Sequence, residues 1–333
     1  TIVCSTGSKS GHTLTISESG NVYSVGNQSC GALGHKEESV FPPKQISSLK
    51  NIKAIDCQSR HTLCLDFDGN VFSFGDNTKG QLGVGKSSST LTYTHIPQKV
   101  ELPQIKQISC GYDFSICLSE DGFLFSFGWN SYGQLGHGNR DSLNYPKKIE
   151  YPGEVEFIDC GSTFAICKTL GVSYYVWGDN GYSQLGLGSI KDRKESPTLN
   201  TGFPNGVVDI KCAMNHFLVL TANQEVYSCG HNYYGQLGRP IDGECSGFIK
   251  KVPLLSEISR IECGYVSSIC LDIYYNLYVF GDNNLGQLGL GESVKSIPSA
   301  EKNTTLSNIV DISSKGNHVF VKTANNEIYA FGK

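Results

Sequence analysis

The chain has 333 residues, 39% hydrophobic and 17% charged, with a formal net charge of −4. Its 38 glycines, roughly 11% against a usual ~7%, lack a three-residue period, which excludes collagen, and 11% aromatics supply a core, which excludes disorder. No basic run exceeds Lys147-Lys148 or Lys250-Lys251 and no apolar stretch reaches a membrane span, which argues against direct nucleic-acid binding and against a transmembrane helix.

The small, polar Thr1–Gly11 opens the chain without the apolar core of a signal peptide. From there, seven segments close on glycine, at Gly26, Gly75, Gly128, Gly178, Gly230, Gly281 and Gly332, with gaps of 49, 53, 50, 52, 51 and 51 residues. Periods near 50 residues are the mark of propellers and solenoids. They replace the two domains that length alone suggests, at roughly 150 residues each, with one seven-unit domain over residues 1–333.

The third unit shows the parts of each. Ile105–Cys110 alternates apolar and polar residues and predicts a first strand, and Phe114–Leu118 a second. Glu120-Asp121-Gly122 is a tight-turn signal before a third strand, Phe123–Phe127. Gly128–Gly136 is a glycine-rich loop, and Tyr145–Ile149 a fourth strand. Four short antiparallel strands make one propeller blade, and no segment holds a helical period over 11 residues. The predicted fold is all-β, a seven-bladed β-propeller of four-stranded antiparallel blades. The last unit stops at Gly332-Lys333. The closing blade is therefore expected to have three strands, or to take its fourth from residues outside this chain.

Thirteen cysteines include four pairs seven residues apart: Cys57 and Cys64, Cys110 and Cys117, Cys160 and Cys167, Cys263 and Cys270. Cys212 has Val219 at that offset. An odd count, a valine in one pair and no export signal favour thiols packed in core strands over disulfides. They also point to an intracellular setting, cytoplasmic or nuclear. No Cys-x-x-Cys supports zinc, and no metal or cofactor is expected. Gly80–Ser87 matches the phosphate-loop pattern, but Ser88–Thr94 offers no helix to receive a phosphate. His12, His61, His216 and His318 open second strands where other units carry Phe114, Phe164 or Ser267, which makes them structural.

Antiparallel order puts the loop between strands one and two on the same face as the glycine-rich loop, and the turn between strands two and three on the other. The first face carries Trp129, Tyr132, Tyr182, Tyr233 and Tyr234 in successive blades. Tyr and Trp dominate interface hot spots, so these are candidate partner-binding residues, with packing between blades as the alternative. Asp76, Asp179 and Asp282 recur at one loop position and read as Asx-turns rather than an acidic recognition ring. Leu33, Leu82, Leu135, Leu185, Leu237 and Leu288 are expected to plug the gaps between blades. On the opposite face, Tyr274-Tyr275 breaks a run of polar turns.

Gly80-Gln81-Leu82-Gly83, Gly133-Gln134-Leu135-Gly136, Gly235-Gln236-Leu237-Gly238 and Gly286-Gln287-Leu288-Gly289, with Arg60-His61-Thr62-Leu63 and Val71-Phe72-Ser73-Phe74-Gly75, resemble the regulator of chromosome condensation repeat. Gly31-Ala32-Leu33-Gly34 and Ser183-Gln184-Leu185-Gly186 are variants, and the resemblance covers essentially the whole chain. It implies a seven-bladed propeller and leaves function open. The family's exchange factor for the small GTPase Ran carries Asp at the rim position before the second strand in two successive blades, and His two blades later. Val266-Ser267-Ser268 resembles that protein's sixth blade and fixes the register. The resemblance then places Arg60 and Asp113 at the two Asp positions and Asn215 at the His position. The family's inserted wedge falls near Asp76–Gly80, where the loop is short.

Two functions follow. The first is a non-enzymatic scaffold that binds a protein partner through Asp113, Trp129, Tyr132, Tyr182, Tyr233, Tyr234 and Asn215, and is itself a monomer. The alternative is a guanine-nucleotide exchange factor for a small Ran-like GTPase. It would act without covalent chemistry, with Asp113 as its exchange residue and Arg60 and Asn215 at the equivalent rim positions.

Overall fold

Short apolar–polar alternations bounded by glycine and Asn/Asp turns form strands along the whole chain. The computed structural model describes residues 2–7, 10–27, 30–85, 90–150, 153–188, 191–240, 243–291 and 293–332, with side chains from residue 11 onward. There are seven antiparallel sheets in succession, each a meander in chain order. Six have four strands and the last has three, Ile309–Lys315, His318–Thr323 and Ile328–Gly332. No helix occurs among the described residues. This is the seven-bladed β-propeller of the repeat.

Blade three shows where the sequence boundaries move. Its strands are Ile105–Cys110, Phe114–Ser119, Leu124–Gly128 and Leu143–Lys148. Phe123 belongs to the turn, because its amide donates to Ser119 Oγ (3.0 Å) and its carbonyl accepts from Ser119 N (2.8 Å). The fourth strand starts two residues early because Leu143 pairs with Gly128 before a register shift. Its Pro146 is tolerated because an outer edge strand needs no second ladder.

The chain divides into two compact units. Unit one holds residues 1–178 and 193–199, which are blades one to four without the loop 179–192. Unit two holds that loop and residues 200–333, with blades five to seven.

In unit one, Leu135 of the blade-three loop packs with Trp177, Ile158 and Phe114, all fully buried. In unit two, Leu288 packs likewise with Ile309, Ile312 and Val319. All six loop leucines are completely buried, as plugs between blades must be. The twelve cysteines with described side chains are free thiols, and all but Cys30 and Cys245 are buried in the same cores. Cys110 Sγ donates to Asp56 O (3.3 Å) and Cys263 Sγ to Lys211 O (3.4 Å), each reaching the inner strand of the preceding blade. A small apolar group with a weak donor fits that seam.

The glycine excess has two sources. At Gly128 (φ 107°) a Cβ would lie 2.6 Å from Asp113 O. At Gly80 (φ 84°) it would lie 2.7 Å from Leu143 O of the next blade. Both positions combine the left-handed region with backbone contact that a Cβ would crowd, which favours glycine.

Candidate functional site

Three kinds of side chain recur in shaping the glycine-rich loops into brackets, with Val176 and Val279 replacing the serine in blades four and six and Ala32 the glutamine in blade one. Asn130 Oδ1 accepts the Leu135 amide (2.8 Å), and Asn180, Asn232 and Asn283 hold Leu185, Leu237 and Leu288 at 2.9, 3.0 and 2.8 Å. Ser73, Ser126 and Ser228 of the third strands donate to the carbonyls of Leu82, Leu135 and Leu237 at 2.7, 2.7 and 2.8 Å. The glutamine turns back on its own loop. Gln81, Gln134, Gln184, Gln236 and Gln287 Oε1 accept the amides of Lys79, Tyr132, Tyr182, Tyr234 and Leu285 at 2.8–3.0 Å. The residue before each Gly-Gln-Leu-Gly or Ser-Gln-Leu-Gly segment is therefore pinned by its backbone and presents its side chain. Three of the five presented residues are tyrosines, and binding loops fixed in advance lose little entropy on association.

In unit one, the rim residues Arg60 and Asp113 join one polar network. The half-exposed Arg60 guanidinium pairs with buried Asp76 Oδ2 at 2.8 Å. Asp76 Oδ1 accepts the Thr78 amide (3.0 Å), the Asx-turn expected. With Asp76 occupied, Gln81 Nε2 crosses to Asp113 Oδ1 of the next blade (3.3 Å). Asp113 is only 6% exposed. Burial first, and then the Asp76 charge, push its carboxyl from 3.8 up to about 7, against the pull of Arg60 and Lys79. Beside this rim, Trp129 and Tyr132 meet edge to face at 5.3 Å. Trp129 Nε1 donates to Ser131 Oγ (2.7 Å), and the Arg193 guanidinium lies 5.4 Å from the Tyr132 ring centre.

In unit two, Asp179 and Asp282 also close Asx-turns, onto Gly181 N and Asn284 N at 3.2 Å each. Their second oxygens accept from Gln184 and Gln287 at 3.1 and 2.9 Å. Gln184 Nε2 also reaches Asn215 Oδ1 at 3.5 Å. Tyr182, Tyr233 and Tyr234 come together around His231. Ring centres lie 4.7 Å apart for His231–Tyr182, 6.4 Å for His231 with each of the other two, and 5.0 Å for Tyr233–Tyr234. Tyr182 is 42% and Tyr233 59% exposed. Burial lowers the His231 pKa, so the neutral ring accepts from Gln236 Nε2 at Nδ1 (2.7 Å). His231 did not stand out in the sequence. Its signal was its column, the residue after the strand-ending glycine, occupied elsewhere by Asp76, Trp129, Asp179 and Asp282.

The other chemical groups are structural. His61 and His216 are buried and reach Ser115 and Ser268 of the following blades at 3.0 and 2.9 Å. Burial drops His216 to about 3, leaving it neutral. In the phosphate-loop match, Gly83 N bonds Gly80 O (3.0 Å) and Gly85 N bonds Asn144 O (2.8 Å), a turn tied to the next blade. Lys86 and Ser87 lie outside the described residues. No cluster of metal-ligating side chains occurs among the described residues.

Comparison with known proteins matches this architecture. An RCC1-like domain model matches residues 2–205, and regulator of chromosome condensation (RCC1) repeat models match 207–236, 223–271 and 276–321. The chain belongs to the RCC1-like domain family. It is 31% identical over 294 residues to the ultraviolet-B receptor UVR8 of Arabidopsis thaliana, covering 85% of this chain and 66% of the receptor. It is 34% identical over 286 residues to the X-linked retinitis pigmentosa GTPase regulator of Homo sapiens, covering 84% of this chain and 28% of that protein. The chain thus spans part of each relative's length. Human WBSCR16 has a TM-score of 0.84 at 24% identity, over 96% of this chain and 85% of that one. Prp20p from Saccharomyces cerevisiae gives 0.84 at 21%, over 99% and 82%. At such identity the two structures speak to the fold alone.

Proposed function

We propose that this RCC1-like chain is a protein-binding propeller whose partner docks on the glycine-rich loop face, and that it works without a cofactor. The observation that carries the reading is the loop bracket. It spends its own polar groups on its backbone and leaves Tyr132, Tyr182 and Tyr234 presented, with Trp129 and Tyr233 beside them. In unit one, Trp129 and Tyr132 together with Arg60, Arg193 and the Asp113 rim have the composition of an interface hot spot. The test is partner capture from the source cell, wild type against Trp129→Ala with Tyr132→Ala and against Tyr182→Ala with Tyr233→Ala. One of the pairs loses a specific partner while its melting curve stays near wild type. Unchanged capture by both would refute the loop face as the docking surface.

A second reading rests on Asp113, the buried rim carboxylate. Relatives include a protein named as a GTPase regulator, and Prp20p has been characterised for its binding to Gsp1p and histones. Nucleotide exchange needs a surface that stabilises the nucleotide-free GTPase and no bond-making. Release of fluorescent nucleotide from a small-GTPase panel, accelerated by wild type and lost in Asp113→Ala, is the expected outcome of that reading. No acceleration for any member removes it and leaves the scaffold reading intact.

A further inference from the structure

The face of unit one opposite the glycine-rich loops is built from the turns 66–70, 119–123 and 169–173 and the connector residues 46–51, 100–104, 149–150 and 153–154. Backbone hydrogen bonds join them into one strip. Phe67 N donates to Asn51 O (3.0 Å), Ile105 N to Gly69 O (2.9 Å) and Glu120 N to Gln104 O (2.9 Å). Val155 N donates to Gly122 O and Leu170 N to Glu154 O, both at 2.9 Å.

Two kinds of side chain emerge from this strip. Phe67, Phe123, Leu170 and Val172, from three consecutive blades, are 69, 41, 59 and 61% exposed. Single exposed apolar residues are ordinary, but a row of them on a bonded scaffold marks a contact surface. Between them stand six exposed carboxylates, Asp68, Glu101, Glu120, Asp121, Glu150 and Glu154. Lys50 is the one cation in these turns and connectors among the described residues. The turns and connectors thus carry a local negative excess, while the exposed Lys99, Lys147 and Lys148 stand on the adjoining outer strands. The face also shows what it accepts: Lys148 Nζ, from a neighbouring strand, stands 3.3 Å over the centre of the Phe123 ring. Val172 holds φ +61° where blades two and three have Gly69 and Gly122. A β-branched residue is costly in that region, and such outliers concentrate at functional surfaces.

We propose that this strip is a second docking surface, for a basic amphipathic segment of a partner protein. Its apolar side chains would lie over Phe67, Phe123 and Leu170, with its lysines and arginines among the carboxylates. The same charge repels an anionic membrane and an acidic segment. A second copy presenting the same strip would bring like charges together. The surface is independent of the loop face, so one chain can hold two different partners.

The test uses the whole chain and a fluorescent amphipathic Leu/Lys peptide of about 18 residues, followed by anisotropy. Glu120→Lys with Asp121→Lys, and Phe67→Ser with Leu170→Ser, should each weaken binding about tenfold or more. Trp129→Ala with Tyr132→Ala, on the other face, should bind as wild type. A lysine peptide of equal charge without leucines should bind more weakly. Hydrogen exchange of wild type with the Leu/Lys peptide should slow the amides of 67–70, 120–122 and 170–173, a readout that needs no variant to fold. Failure of the peptide to saturate, equal binding by the strip variants, equal binding of the leucine-free peptide, or protection centred on the glycine-rich loops would each overturn the proposal.

Discussion

Asp113→Asn isolates the charge on the rim. The Asp113 carboxyl is held at about 7 instead of 3.8, a difference of about three units, each worth about 1.4 kcal/mol. The folded-state value is raised, so between those two values the folded chain binds more protons than the unfolded one. Stability from this group is complete below pH 3.8 and is lost as pH rises through 7. Above neutrality the buried carboxylate costs up to about 4 kcal/mol, reduced by whatever relaxation lets Arg60 or water approach. Asparagine keeps an oxygen for the Gln81 amide, which stands 3.3 Å from Asp113 Oδ1, and removes the charge. Denaturant unfolding should find Asp113→Asn more stable than wild type by about 2–4 kcal/mol at about pH 8.5, converging with it at about pH 4. A stability difference that is the same at both pH values would refute the buried-charge account.

Two further outcomes follow from the cores and the turns. Neutral alkylating reagents should label Cys30 and Cys245, which are partly exposed, while Cys64, Cys117, Cys167 and Cys270 stay unmodified until denaturant is added. Burial raises all four of those thiols, Cys167 to about 12, so mass mapping that finds them labelled in the native chain would contradict the core assignment. Val172→Gly removes a β-branched residue from φ +61° and should stabilise the chain by about 1 kcal/mol, seen as a small rise in Tm. A fall in Tm would mean the valine side chain packs more than its 61% exposure indicates.

The propeller was legible because its decisive contacts are local. Asn130 to Leu135 spans five residues and Gln134 to Tyr132 two, so each unit writes its own loop and the loop repeats as a string. The Asx-turns at Asp76, Asp179 and Asp282 were legible for the same reason. The rim was only half legible. Resemblance put Arg60 and Asp113 at equivalent positions but not in one network. Their link runs through Asp76 and Gln81, and Gln81–Asp113 spans 32 residues across two blades. His231 reaches Tyr182 across 49 positions, which no local pattern encodes. The opposite-face strip was missed because its turns read as polar one by one. Phe67 and Leu170 become a row only when Gly69 is bonded to Ile105 and Gly122 to Val155.

The same locality separates fold from partner choice. Asn130 is fully buried, accepts Leu135 N and donates to the carbonyls of Asn139 and Asp141, both at 3.0 Å. Replacing it would strand several backbone groups, each costing about 1–3 kcal/mol when left buried. The presented position bears no such duty. Lys79, Tyr132, Tyr182, Tyr234 and Leu285 offer the glutamine only a backbone amide, which every residue but proline supplies. One column is thereby fixed by folding and its neighbour is left free for recognition. That freedom is what allows lysine, tyrosine and leucine to alternate there within a single chain. It also explains why repeats this alike in fold do not by themselves name what they bind.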